Sequence, residues 1–175
     1  MSIRVDQQKP EKLFSALYMV LLMMLVAPLS MAEVPGNWIY EKITVDAFQK
    51  ELYSATTRSC NSIKLSFPYT GLNHGLIMIR KFKDAEPEAL FAVDKGQLFT
   101  GENIRVKFDD GNAEWIKVYA PSDRRTDLLF IADPINFINQ IKNAKKLTVA
   151  VQFAPGGEKV FNFNLDGLDL ARVGL

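Results

Sequence analysis

Three observations predict a mainly β domain, an antiparallel β-sandwich-like sheet with one packed α-helix. Four segments alternate apolar and polar residues, Asp110-Gly111 sits between two strand-like runs, and one amphipathic stretch opens on Asp133-Pro134. The alternating segments set Ile63, Leu65 and Phe67 against Ser62, Lys64 and Ser66, and Ile104, Val106 and Phe108 against Asn103, Arg105 and Lys107. Leu147, Val149, Val151 and Phe153 likewise oppose Thr148, Ala150 and Gln152, while Phe161, Phe163 and Leu165 oppose Asn162 and Asn164. Successive side chains of an extended chain leave opposite faces. Each segment therefore has one face to bury and one to wet, the habit of antiparallel sheet.

From the N-terminus, the first element lies outside that domain. Leu13 to Ala27 is a 15-residue apolar run, preceded by Arg4, Lys9 and Lys12 and followed by Pro28-Leu29-Ser30-Met31-Ala32. A charged segment, a hydrophobic helix and small residues at Ser30 and Ala32 have the order of a secretory signal peptide cleaved after Ala32. A bilayer span needs about 20 apolar residues, so the run is short for an anchor, and Pro28 stops its helix before the cleavage site. Residues 1–32 are thus expected to be a signal peptide and residues 33–175 a single exported domain. The alternative is a retained leader that anchors the chain in the membrane.

Within the domain, Val45 to Tyr53 reads either as a weak helix, with Ala47, Phe48, Leu52 and Tyr53 apolar, or as the continuation of a strand from Trp38. Gly71 to Gly75 supplies a connection. Leu76 to Phe82, Ala89 to Val93 and Leu128 to Ala132 are apolar on both parities, as central strands covered on both sides would be. Asp110-Gly111 and Pro155-Gly156-Gly157 supply turns between strands, because these residues tolerate the backbone that tight hairpins need. The helix is expected over about 133–145. Asp133 is a fit N-cap, Pro134 suits the first helical position, and Ile135, Phe137, Ile138, Ile141 and Ala144 form an apolar stripe. Lys142, Lys145 and Lys146 crowd the end that the helix dipole makes negative.

Composition narrows the chemistry once the leader is set aside. The chain has 175 residues, 21 basic and 20 acidic. Residues 33–175 hold 18 of each sign, one cysteine, one histidine and a single methionine, Met78. That balance leaves no electrostatic footprint for nucleic acid or an anionic membrane. With Cys60 alone, no internal disulfide forms, and Cys60 is expected to be a small buried hydrophobe. One histidine and one cysteine do not make the usual zinc site, and no cofactor or metal is expected.

Several groups invite a chemical role. Asp109 and Asp110, with Asn112, offer oxygen ligands, but the loop is too short for an EF-hand and Glu114 comes too early, so a hairpin turn accounts for them. His74 has Ser62, Ser66 and Ser122 as possible nucleophile partners, yet none stands in a Gly-x-Ser-x-Gly turn. The loop Ser122-Asp123-Arg124-Arg125-Thr126-Asp127 is the densest in charge, and its guanidinium forks suit a partner's carboxylates, although Asp123 and Asp127 neutralise them locally. Lys64, Arg105 and Lys107 form a mild basic strip. Trp38, Tyr40 and Trp115 are expected in the core.

Taken together, Trp38-x-Tyr40, Phe67-Pro68-Tyr69-x-Gly71, Lys95-Gly96-Gln97, Val106-x-Phe108-Asp109-Asp110-Gly111, Leu129-Phe130-Ile131, Phe137 before Ala144-Lys145-Lys146, and Phe161-x-Phe163 before Gly167-Leu168 resemble a group of small exported proteins of Gram-negative bacteria, generally without an assigned activity. The resemblance implies a β-rich domain in the periplasm, and it carries over no catalytic residue. The expected function is a non-catalytic module that recognises a protein partner, as an envelope-assembly accessory or an inhibitor, with Arg124, Arg125, Arg105 and Lys107 as partner-binding residues. The alternatives are a hydrolase using His74 or Asp109 and Asp110, and an anchored subunit of an envelope complex.

Overall fold

The alternation resolves into eleven strands among the residues that the computed structural model describes, 38–45, 50–99, 101 and 103–175. They are β1 (Ile39–Val45), β2 (Lys50–Arg58), β3 (Ile63–Leu65), β4 (Gly71–Asn73), β5 (Gly75–Phe82), β6 (Glu88–Val93), β7 (Asn103–Phe108), β8 (Glu114–Tyr119), β9 (Leu128–Ile131), β10 (Lys146–Phe153) and β11 (Gly157–Asn164). The helix α1 (Pro134–Asn143) joins β9 to β10. Nine strands form one antiparallel sheet in the order β1-β2-β5-β6-β9-β8-β7-β10-β11, and β3 and β4 make a small sheet of their own.

The long sheet folds over on itself. Phe91 of β6 packs its ring against Phe161 and Phe163 of β11, with centroids 5.7 and 6.5 Å apart. A flat sheet would hold strands five places apart at roughly 24 Å, so the two halves face each other across the core. Inward residues of both halves, among them Ile77, Ile79, Leu129, Val106 and Val149, are fully buried. Gly75 permits the close approach, since a Cβ there would lie 2.9 Å from the Phe161 ring. The edge of β11 is met by the chain leaving β2. The Cys60 N–H donates to the Asn162 carbonyl at 2.7 Å, and the Asn61 amide side chain accepts from the Asn162 N–H at 2.7 Å and donates to the Val160 carbonyl at 2.9 Å. Trp38 Nε1 donates to Leu165 and the Tyr40 hydroxyl to Gly167, each at 3.1 Å, which ties β1 to the tail beyond β11.

The helix starts and stops as its caps dictate. The Asp133 carboxylate accepts from the Asn136 N–H at 3.1 Å, Pro134 occupies the first turn, and the Ala144 N–H closes the end on Gln140 and Ile141. Phe137, Ile138 and Ile141 are buried, and the Phe137 ring meets Phe108 edge-on at 5.8 Å. Burial of side chains of this size stabilises by about 1.5–3 kcal/mol each. The helix covers the end of the sandwich at which β6 and β10 begin.

Several expectations change. Val45 and Lys50–Tyr53 are strand, β1 paired with β2, whereas residues 46–49 lie outside the described residues, as do the leader 1–32 and its cleavage site. Phe67 is 87% exposed instead of continuing the β3 alternation. The chain turns there, with the Tyr69 N–H donated to Ser66, and Pro68 has no N–H to offer a ladder. Trp115 is 67% exposed because Ile116 and Val118 take the inward parity of β8. Cys60 is exposed, its backbone engaged at the β11 edge. Ile135 is exposed on the outer side of α1, and Lys145 and Lys146 lie beyond the helix. At the β7–β8 turn the positive φ falls on Asp109, at 46°.

Candidate functional site

Exposed functional groups gather at the end of the sandwich away from α1. There the β3–β4 hairpin, the β6–β7 connection, the β8–β9 loop and the β10–β11 turn meet. Asn73, fully buried, locks two of them: its amide side chain exchanges hydrogen bonds with the backbone N–H and carbonyl of Lys95. The Leu98 N–H donates to Thr126 at 2.7 Å and the Ala154 N–H to Gln97 at 2.8 Å, so the 94–98 segment is the hub. Gly96 is required at its centre. Its φ is +110°, and a Cβ would stand 2.8 Å from Phe153 and 3.0 Å from Leu65.

Between the β3–β4 hairpin and the β10–β11 turn opens a cleft of about 330 Å³. Leu65, Phe67, Tyr69, Phe153 and Pro155 supply its apolar walls, and its charged lining residues are Lys64 and Lys159. Neither acid type is among the described lining residues. Lys95 Nζ lies nearby, 3.4 Å from the Thr70 carbonyl. The sequence signalled neither Phe67 as a surface group nor the meeting of Lys64 with Lys159, which depends on the fold bringing distant segments together.

Arg124 and Arg125 lie at the same end, in the β8–β9 loop, outside the cleft lining. Arg125 makes a forked bond to Asp127, at 3.0 and 2.7 Å, and its N–H donates to Asp123 at 3.1 Å. This hydrogen-bonded pairing raises the Arg125 pKa and lowers that of Asp127. Arg124 stays exposed at a turn, with φ 65° and its N–H donated to Pro121.

Arg105 and Lys107 stand elsewhere, on the outer face of β7. Arg105 pairs with Glu158 at 2.7 Å and lies 5.7 Å from the ring centre of Trp115, its cross-strand neighbour. Lys107 stands opposite Thr148 of β10. Further along β8, Lys117 lies 5.4 Å from the ring centre of Tyr119, which is 53% exposed. Register continues Tyr119 into a row with Phe130, Leu90 and Met78. Trp115 is four residues before Tyr119, about 13 Å along the strand, and the four expected partner-binding residues divide between two regions, Arg105 and Lys107 on β7 and Arg124 and Arg125 in the β8–β9 loop. Alternation with Ile116 and Val118 carries the signal for the outward Trp115, Lys117 and Tyr119, a signal that the expectation of Trp115 in the core overlooked.

The groups considered for hydrolysis do not meet. His74 is half-buried, its Nδ1 3.2 Å from the Ser59 carbonyl and its N–H donated to Asp94. Burial opposes the charge on Asp94, but Arg58 at 2.7 Å and the His74 amide hold its carboxyl below the ordinary value. Asp109 accepts from the Lys145 and Lys146 N–H groups, at 2.9 and 2.8 Å, and so shapes the entry to β10. Asp110 is exposed at the turn.

No family model matches the chain, and no curated protein matches it in sequence. Among solved structures it is similar to the crystal structure of invasion associated protein B from Bartonella henselae, with a TM-score of 0.43 and 15% identity, covering 77% of this chain and 88% of that one. A likeness at that level transfers neither site nor activity.

Proposed function

We propose that this chain is an exported, non-catalytic binding module of the Gram-negative periplasm that recognises a protein partner, as an accessory of envelope assembly or as an inhibitor. The outer face of β7 and β8 carries the reading. Trp115 and Tyr119 stand in solvent, each with a cation over its ring, and Tyr119 leads into a cross-strand row in which Phe130 and Met78 are half-buried around the buried Leu90. Trp, Tyr and Arg are the residues in which binding energy concentrates at protein interfaces. The stacked cations hold the rings in place before a partner arrives, which lowers the ordering cost of association. Arg105 and Lys107 frame this face, and Arg124 adds charge beyond the end of β8.

The test is recovery of a partner from cell-envelope extract by the wild-type protein and by the Trp115→Ala/Tyr119→Ala double variant. One protein enriched by the wild type and reduced about tenfold or more by the variant, at unchanged thermal stability, is expected. Equal recovery by both, or no enrichment at all, overturns the reading. Turnover of an ester or cell-wall substrate that disappears in His74→Ala would establish the hydrolase instead. Intact mass of the exported protein checks the leader, with a start at Glu33 expected and a start at Met1 showing retention.

A further inference from the structure

We infer that the cleft between β3 and β11 is a separate binding site for an extended, acidic peptide segment of a protein partner. The inference rests on the reading of the chain as a protein-binding module. Its basis is the way the β11 edge is left. The chain leaving β2 touches β11 through one backbone bond, from the Cys60 N–H to the Asn162 carbonyl, and through the Asn61 side chain, which bridges Asn162 and Val160. Beyond that contact β3 pairs with β4. The described hydrogen bonds on this edge of β11 lie at Val160 and Asn162, and the cleft occupies the gap between β3 and the segment that carries Gly156 and Lys159.

An added strand fits such a gap, because its backbone meets a sheet edge while alternate side chains enter pockets. The walls suit apolar side chains: Leu65, Tyr69 and Phe153 line the cleft, and Phe67 stands in solvent with no core contact to lose. Charge selects the remainder of the segment. Lys64 and Lys159 flank the opening and Lys95 lies close by, with no carboxylate in the described lining, so carboxylates of an occupant meet cations on both sides. Gly156 and Gly157 carry no side chain to obstruct the approach, and a Cβ at Gly157 would meet nothing within 4 Å. A volume of about 330 Å³ takes a few side chains, the scale of a peptide segment and not of a folded domain.

Fluorescence anisotropy on the protein purified from cells expressing the full chain tests this, with a labelled, terminally blocked hexapeptide of alternating Asp and Phe as probe. Saturable binding is expected, at least tenfold tighter than for the same peptide with Lys replacing Asp. Lys64→Ala/Lys159→Ala should weaken it at least fivefold and flatten its salt dependence, and Phe67→Ala should weaken it to a similar degree, while Trp115→Ala/Tyr119→Ala leaves it unchanged. Equal affinity for acidic and basic peptides, full affinity in the Lys64/Lys159 variant, or capture of phosphatidylglycerol vesicles in place of the peptide overturns the assignment. Peptide binding without any partner enriched from extract defeats the functional reading alone. Normal partner recovery with no peptide binding defeats the cleft alone.

Discussion

At one end of the sandwich α1 lays Phe137, Ile138 and Ile141 over the core, and its ring contact with Phe108 completes the seal. At the other end, turns from four connections meet through hydrogen bonds around Asn73 and Lys95, and Phe67 is left in solvent above a cleft. A groove beside α1 is as large, about 330 Å³, yet it mixes Glu86 with Lys81 and Lys142 and so offers no single sign of charge. An end closed by a helix spends its apolar surface on folding. An end built of turns satisfies its backbone locally and keeps apolar and cationic groups free, which is where a rigid scaffold places recognition.

The contrast breaks if the two ends contribute alike to stability. Phe137→Ala should cost about 3–5 kcal/mol, since a buried aromatic leaves a cavity that the helix and Phe108 do not refill. Urea denaturation measures it, and a loss below about 1 kcal/mol would place the helix outside the core. Gly96→Ala is the strongest test of the open end. The strained φ and the overlap with Phe153 and Leu65 should cost about 1–3 kcal/mol and disturb the cleft floor, as seen in urea midpoint and in peptide affinity together.

Much of the helix end was legible in the sequence and much of the open end was not. Asp133-Pro134 and the spacing of Phe137, Ile138 and Ile141 are local signals, and local hydrogen bonding and packing act on them. The alternation in β7, β10 and β11 likewise assigned Val106, Val149 and Phe161 to the core, because period two maps directly onto the faces of a sheet. The cleft depends on Lys64 and Leu65 of β3 reaching the same place as Phe153 and Lys159, a juxtaposition that no local pattern encodes. Phe67 was misread because three alternating apolar residues look like a strand, while β3 pairs with β4 only from Ile63 to Leu65 and ends before Phe67. Trp115 was assigned to the core on residue type, when parity with Val118 placed it outside.

Asp133→Ala sharpens the comparison at a smaller scale. Loss of the bond to the Asn136 N–H should cost about 1 kcal/mol, read as a lower urea midpoint, with peptide binding at the far end untouched. Acid should act on the open end through Asp94 and Asp127. Both carboxyls are held below the ordinary aspartate value of 3.8, so their contribution is complete above that pH and fades as pH falls through their lowered folded values. Exposed pairs of this kind contribute at most about 1 kcal/mol. Asp94→Asn should therefore be slightly less stable than wild type at pH 7 and converge with it below pH 3.8, and a gap that widens in acid would refute the pairing with Arg58.

The smallest expected change in stability is the most discriminating. Phe67 is a large apolar side chain with 87% of its surface in water, so its removal uncovers no core and should alter the unfolding free energy by no more than about 0.5 kcal/mol. Phe137→Ala removes the same ring from the sealed end at a cost several times larger. If Phe67 exists only as a turn residue before Pro68, its loss leaves both folding and binding intact. If the open end is where apolar surface is kept for a partner, Phe67→Ala folds normally and loses affinity for the acidic peptide, whereas Asp133→Ala loses stability and keeps that affinity. Equilibrium unfolding and anisotropy on those two proteins separate the roles of the two ends, because each variant should move one measurement and leave the other in place.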